Sequence, residues 1–314
     1  MPFGLTNAPA TFQGLMNDVF RPYLRKFVLV FFDILVYKSS WYKHLQHLET
    51  VLQFFIKESL YAKLSKCSFG TAEIDYLGHT ISGEGVKMDK AKVQTVMEWQ
   101  EPQNVKQLRG FLGLTGYYPK FIRNYVAIAG PLTDLLKKGA FKWNDQASQA
   151  FQQLKKAITS QPVLALPNFD IPFEIETDAS GIGIRAVLIQ DKHPIAYFSK
   201  KMATSMQRQP AYTREFYAIT EAIAKFRHYL LGKKFIIRTD QQSIKSLLNQ
   251  NLHTPEQHKW LHKLLGYDFE IQYKPGGENV PAYALSRCYL GAWSTPKLDW
   301  LSQLKMEIGN DEKL

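Results

Sequence analysis

Acidic residues are scarce in this chain. Its 314 residues carry 28 Asp and Glu against 39 Lys and Arg, a formal charge of +11. That balance argues against an acidic solvating segment and favours a polyanionic partner. Between Val86 and Lys142, 10 Lys and Arg stand against 4 Asp and Glu, so this stretch alone holds +6. A nucleic-acid surface is the expected reading, and a solvated basic face is the plain alternative. Cysteine is nearly absent. Cys67 and Cys288 lie far apart without metal-ligand spacing, which excludes a disulfide framework and a zinc site and suits a reduced, intracellular compartment. Long apolar runs are missing too. The stretch from Phe27 to Phe32 is stopped by Asp33, far short of a membrane span, and the N-terminus has no charged and apolar signal-peptide regions. No membrane partner is expected, and no feature sets an oligomeric state.

What is present is enough apolar sequence for real cores, 45% of residues, over a length that fits about two domains. Asn7 is placed to cap a helix with Pro9 in its first turn and Phe12, Leu15, Met16, Val19 and Phe20 on one face. The apolar and aromatic stretch from Phe27 to Tyr37 reads as a buried strand or tight hairpin around Asp33. Ser40 can cap a helix turning Leu45, Leu48, Val51, Leu52 and Phe55 inward, and His44 and His47 on it lack the further ligands a metal would need. From Val86 to about Ser160 the period is helical. Asp89 and Asn104 are candidate N-caps, Leu108, Phe111 and Leu112 share a face, and Gly139 suits a helix end. Residues 161–172, with three prolines, form the best linker. Strand-like runs at 173–177, 182–189 and 195–199 follow, then a helix over 213–230, a strand at 234–238, two helical stretches and a strand at 269–273. That order predicts a mixed sheet with helices packed on it.

Three carboxylate-bearing segments carry the chemistry: Glu176-Thr177-Asp178-Ala179-Ser180-Gly181, Tyr212-Thr213-Arg214-Glu215 and Ile236-Ile237-Arg238-Thr239-Asp240. An acid at a strand end is usually a solvated turn residue. Here Asp178 and Asp240 both end apolar strands that could lie adjacent, and Glu215 begins a helix whose Phe216, Ile219, Ile223 and Phe226 would pack on that sheet. Converging carboxylates of this kind suit hard divalent cations, and a two-metal site needs several of them from separate elements. Gly181-Ile182-Gly183-Ile184-Arg185-Ala186 fits the letter of a dinucleotide fingerprint. That fingerprint needs a helix next, whereas Ile184, Val187, Leu188 and Ile189 continue as β-rich sequence, so a turn between paired strands is expected instead.

With these acids, the phrases His193-Pro194-Ile195-Ala196-Tyr197-Phe198-Ser199, Arg227-His228-Tyr229-Leu230-Leu231-Gly232 and Tyr267-Asp268-Phe269-Glu270-Ile271 make residues 173–287 resemble the ribonuclease H domain of gypsy-type long-terminal-repeat retrotransposons. The resemblance implies that Asp178, Glu215 and Asp240 bind two Mg²⁺ ions, with Mn²⁺ as substitute, and cleave the RNA strand of an RNA–DNA hybrid. Two positions depart from the pattern. Tyr283 stands where the family has a fourth acid, and Arg185 stands in the second strand where it has a small residue. The first part is similar to the reverse transcriptases of the same elements. Pro2-Phe3-Gly4-Leu5-Thr6-Asn7-Ala8-Pro9-Ala10-Thr11-Phe12-Gln13 resembles the motif lining the nucleotide and template site, which implies nucleic-acid contacts for Phe3, Gly4 and Gln13. Phe31-Phe32-Asp33-Ile34-Leu35 resembles the polymerase hairpin but is one aspartate short, leaving Asp33 as its catalytic candidate. Tyr76-Leu77-Gly78-His79 resembles the primer grip, implying contacts for Tyr76 and Gly78. Residues 108–121 resemble the thumb, with Pro119 in place of a basic residue; Lys106 and Arg109 at the start of that region are its nucleic-acid candidates.

The fold class expected is therefore α+β and multidomain. It comprises a partial palm (1–85), a helical thumb or connection (86–160), a linker (161–172), a ribonuclease H-like mixed sheet with flanking helices (173–288) and a tail (289–314). The family's first palm acid would lie upstream of Met1. The partners implied are RNA–DNA hybrid and primer-template nucleic acid. Polymerase activity is expected to be lost and ribonuclease H activity weak. The alternative is a catalytically dead relic that only binds nucleic acid. The tyrosine at position 283 discriminates between the two readings, because a phenol is a poor Mg²⁺ ligand at neutral pH.

Overall fold

The computed structural model describes residues 7–24, 26–31, 33–38, 40–181, 183–240, 244 and 262–274. It divides into two compact units, Met1–Lys92 and Val93–Leu314.

In the first unit, α1 (Ala8–Phe20) buries Met16 and Phe20. Both pack with Phe27, Val28 and Val51 in one apolar cluster, with Phe12 and Val19 at its margin. Leu15, expected on the same face, is 47% exposed. Asn7 does not cap α1 with its side chain. Its backbone is already helical, which aims the side chain away from the free N–H groups. The Asp33 stretch is a hairpin. Strand β1 (Val28–Val30) pairs antiparallel with β2 (Ile34–Val36), from Val28↔Val36 to Val30↔Ile34. Between the two strands, Phe31 N–H donates to Asp33 O at 2.9 Å.

Helix α2 (Trp41–Lys57) follows, and Ser40 makes no side-chain cap. His47 stacks on Phe27 with ring centroids 3.7 Å apart, so its ring serves packing. Strands β3 (Glu73–Tyr76), β4 (His79–Ser82) and β5 (Gly85–Met88) form a three-stranded antiparallel sheet. The β3–β4 turn is Leu77-Gly78, with φ of 50° and 70°. Positive φ at both central residues matches the twist of the flanking strands, and glycine takes the second position without strain.

Helix α3 (Lys90–Glu98) starts after Asp89, whose carboxylate accepts from Ala91 N–H at 2.8 Å. In the second unit, α4 (Val105–Thr115) is capped by Asn104, as expected, through Gln107 N–H. A short 3-10 turn at Pro119–Phe121 leads to α5 (Tyr125–Asp134), and Gly139, with φ of 73°, turns the chain beyond it. Helix α6 (Asp145–Thr159) buries Phe151, Leu154 and Ile158.

The main sheet then assembles from β6 (Phe173–Ala179), β7 (Gly183–Gln190), β8 (His193–Lys201), β9 (Lys234–Thr239) and β10 (Asp268–Tyr273), in the order β10-β9-β6-β7-β8. β6, β7 and β8 run antiparallel in sequence, while β6, β9 and β10 are parallel. β7 continues as strand where a dinucleotide site would need a helix. After the short α7 (Thr204–Gln207), α8 (Ala211–Leu230) buries Phe216, Ile219, Ala222, Ile223 and Phe226. These pack with Phe173, Ile175, Ala186 and Leu188 of the sheet, which makes one face of β6 and β7 the core face.

The segment read as a linker packs against this sheet. Leu164 is buried. Ala165 N–H donates to Pro194 O at 2.8 Å, and the Gln190 amide donates to the Asn168 and Ile171 carbonyls. Prolines in extended backbone leave few N–H groups to satisfy, so such a segment can run along a sheet edge as readily as through solvent. The 119–134 region also belongs to this unit. Val126 N–H donates to Ser199 Oγ at 3.1 Å, and Arg123 donates to the Tyr197 hydroxyl at 3.4 Å.

Candidate active site

The three candidate acids of the second unit lie near one end of the main sheet, close enough for Asp178 and Asp240 to act electrostatically on Glu215. β6 and β9 are parallel neighbours in the register Glu176↔Arg238. Continued by two residues, that register sets Asp178 level with Asp240, both at the C-terminal ends of their strands. The carboxyl edge of parallel strands, where the chain turns away, is the usual place for a site. Glu215 arrives from the opposite layer, near the start of α8. Its Oε1 accepts from Ala179 N–H at 2.8 Å, which ties the helix to the end of β6. Arg214 steadies the turn after Asp178 by donating to Ser180 O at 3.4 Å.

The Asp178 and Glu215 carboxyls are expensive to ionise where they sit. Burial pushes the Glu215 carboxyl up to about 8, with Asp178 and Asp240 repelling its charge and the Ala179 N–H partly offsetting both. Burial pushes Asp178 up to about 6, opposed by the Arg185 guanidinium and reinforced by Asp240. Asp240 itself is exposed. Glu215 Oε2 is buried with no hydrogen-bond partner. Among the described residues, no three His, Cys, Asp or Glu side chains close around a point that could hold a metal ion. Two of the acids are engaged by other groups. Asp178 faces Arg185 Nη1 at 3.4 Å and Glu215 faces a backbone N–H. The donor set still suits a hard divalent cation, because it offers carboxylate oxygens only and one of them is buried without a partner.

The face of β6 turned away from α8 holds acids that the sequence reading did not single out. Glu174 pairs with Arg238 at 3.0 Å and Glu176 with Lys274 at 2.6 Å, so Glu174, Glu176 and Asp178 each meet a cation. Alternation along β6 could have shown that the three share a face, whereas Lys274 lies 98 residues from Glu176 and no local signal connects them. The other candidates fall elsewhere. Asp33 is exposed on the β1–β2 turn, and its carbonyl accepts from the Tyr76 hydroxyl at 3.5 Å. Gln13 donates to Val30 O at 3.1 Å, so it braces the hairpin. Lys106 and Arg109 are exposed one turn apart on α4. Phe3, Gly4 and Tyr283 lie outside the described residues, as does the tail.

Lys106 and Arg109 set the first expectation. Replacing both with Ala should weaken binding to duplex or hybrid and flatten its dependence on salt, because fewer phosphates neutralised means fewer counterions released. Fluorescence anisotropy at several salt concentrations measures this. An unchanged salt slope would remove α4 from the interface.

Residues 1–81 match the family model described as reverse transcriptase (RNA-dependent DNA polymerase). Residues 143–237 match the RNase H-like domain found in reverse transcriptase. Among curated relatives, the retrovirus-related Pol polyprotein from transposon 297 of Drosophila melanogaster is 41% identical over 91% of this chain and 27% of its own length. The Pol polyprotein from transposon gypsy of the same organism is 34% identical over 93% of the chain and 30% of its own length. The transposon Tf2-3 polyprotein of Schizosaccharomyces pombe is 34% identical over 91% of the chain and 22% of its own length. The chain thus spans less than a third of each of these relatives. Among solved structures, a foamy viral protease-reverse transcriptase in complex with RNA/DNA hybrid aligns with a TM-score of 0.76 at 20% identity, over 87% of this chain and 39% of that one. A second, in complex with ds DNA, gives 0.78 at 20% identity, over 87% and 50%. At this identity the likeness speaks for the fold.

Proposed function

The chain belongs to the Pol polyproteins of gypsy-type long-terminal-repeat retrotransposons, and from that premise we propose that it binds RNA–DNA hybrid and cuts the RNA strand weakly at Asp178, Glu215 and Asp240, with Mg²⁺ or Mn²⁺. The observation that carries this reading is the meeting of β6, β9 and α8 at one sheet edge, where Glu215 Oε2 is buried without a partner. Asp178, Glu215 and Asp240 are the residues that would hold divalent ions. Bound there, such ions would supply an activated water and stabilise the leaving oxygen. The chain's own groups do the rest. Ala179 N–H fixes the Glu215 carboxylate, Arg214 fixes the turn that follows Asp178, and the exposed Asp240 can adjust to a phosphodiester backbone. The basic α4 surface supplies sequence-independent attraction to the same substrate.

Polymerase chemistry is not part of the proposal. Two-metal nucleotidyl transfer needs several carboxylates, and the β1–β2 turn supplies Asp33 alone. Primer-template nucleic acid remains a proposed ligand of the first unit, through Gln13, Tyr76 and Gly78. As a working division we keep palm 1–85, thumb or connection 86–160, linker 161–172, ribonuclease H-like region 173–288 and tail 289–314.

Cleavage of a labelled hybrid by the purified chain tests the reading. Slow RNA-strand cleavage, faster in Mn²⁺ than in Mg²⁺, is expected, and Asp178→Asn abolishes it. Tyr283→Asp should raise the Mg²⁺-dependent rate by restoring a carboxylate to the set. If hybrid is bound but never cut in either metal, with or without that replacement, the chain is a nucleic-acid-binding relic.

A further inference from the structure

Arg185 is the third residue of β7 and lies directly opposite Asp178 in the antiparallel register. Opposed residues in such a pair point to the same face with Cβ atoms about 5 Å apart, so a long cation here must reach the carboxylate. Its side chain is 3% exposed, and its guanidinium is held from two sides. Nη1 donates to Asp178 Oδ2 at 3.4 Å, and Nε donates to Asn124 Oδ1 at 3.1 Å. Asn124 precedes α5 with φ of 62°, a left-handed conformation that asparagine tolerates better than most residues. Two residues on, Val126 N–H donates to Ser199 Oγ, and Ser199 is the cross-strand partner of Arg185. The start of α5 therefore holds the guanidinium against the sheet. An arginine does not lose its proton in a protein, so this positive charge is permanent. A divalent ion on Asp178 would have to sit within a few ångströms of it, in surroundings that screen charge poorly.

We propose that Arg185 is a built-in cation that competes with divalent metal for Asp178, so that the ribonuclease H-like site admits metal there only when the guanidinium is displaced or replaced. This rests on the metal reading given above. It assigns Arg185 and Asn124 as the residues that limit metal occupancy, the first as competitor and the second as the anchor that keeps it in place.

The test is Mn²⁺ binding by the full chain, followed by loss of the free-ion paramagnetic resonance signal, with circular dichroism confirming the fold of each variant. Arg185→Gln should bind Mn²⁺ at least about tenfold more tightly than the parent, since a like charge beside the ion is removed. Arg185→Lys should bind as the parent does, and adding Asp178→Asn to Arg185→Gln should cancel the gain. Asn124→Gly keeps the backbone conformation and the Arg185 charge while freeing the guanidinium. It should give a gain of a few fold, and it decides the matter if Arg185→Gln does not fold. Equal Mn²⁺ affinity in the parent and every Arg185 and Asn124 variant, weakened by Asp178→Asn, overturns the competition and leaves the proposed function standing. If no variant binds Mn²⁺, the competition and the metal reading fall together.

Discussion

In metal-free buffer, stability of the Val93–Leu314 unit falls as pH rises from about 5 to about 8.5, and Glu215→Gln removes most of that fall. The folded-state carboxyl of Glu215 sits at about 8 against an ordinary 4.5, chiefly because it is buried. Through that interval the unfolded chain has released this proton and the folded chain still holds it. The native state therefore binds more protons, and stability declines with pH. The contribution is complete below about pH 4.5 and is lost as pH climbs through 8. Asp178 adds a smaller decline between its ordinary 3.8 and about 6. A displacement of this size is worth several kcal/mol at roughly 1.4 kcal/mol per unit. For a unit of this length that is on the order of 10 °C in melting temperature. Glutamine can still accept from Ala179 N–H and has no proton to lose, so the variant should melt higher than the parent at alkaline pH while losing cleavage. Calorimetric scans of both proteins across the range measure this. Parallel curves with no convergence at low pH would show that Glu215 does not hold its proton in the fold.

Removing the other buried carboxylate should act in the opposite direction. Asp178→Ala leaves the Arg185 side chain, 3% exposed, facing a vacated partner. Breaking one side of a buried pair typically costs about 3–5 kcal/mol, because the remaining charge stays desolvated. We expect Asp178→Ala to destabilise the unit by that order at neutral pH, and Asp178→Ala/Arg185→Gln to recover a large part of the loss. Urea denaturation of the parent, both single variants and the double variant gives the coupling directly. Additive losses would mean that the 3.4 Å pair is too long and one-sided to matter. They would also leave the metal-competition experiment as the sole measure of Arg185. The two replacements thus differ in sign, since among the described residues Asp178 makes an ion pair with Arg185, whereas burial dominates at Glu215.

The sequence by itself determined most of the element types, because these depend on local spacing, and it named the candidate acids. The β-rich run at 182–189 and the helical period across 213–230 follow from local residue type and spacing, and the structure has a strand at Gly183–Gln190, buried along nearly its whole length, and a helix at Ala211–Leu230. Asn104 and Asp89 cap as expected, since a cap concerns residues two or three apart. Even the Asp178–Arg185 contact was within reach, because the two lie equally far from the turn that joins β6 to β7. Tertiary structure alone decided what those residues meet. The packing of residues 161–172 along the sheet, the docking of 119–134 on β7 and β8, and the clamp that joins Arg185 to Asn124 across 61 positions all depend on contacts distant in sequence. A side chain's type and period depend on its neighbours along the chain. Which charge stands beside a buried carboxylate depends on how the layers close, because its partners come from segments distant in sequence.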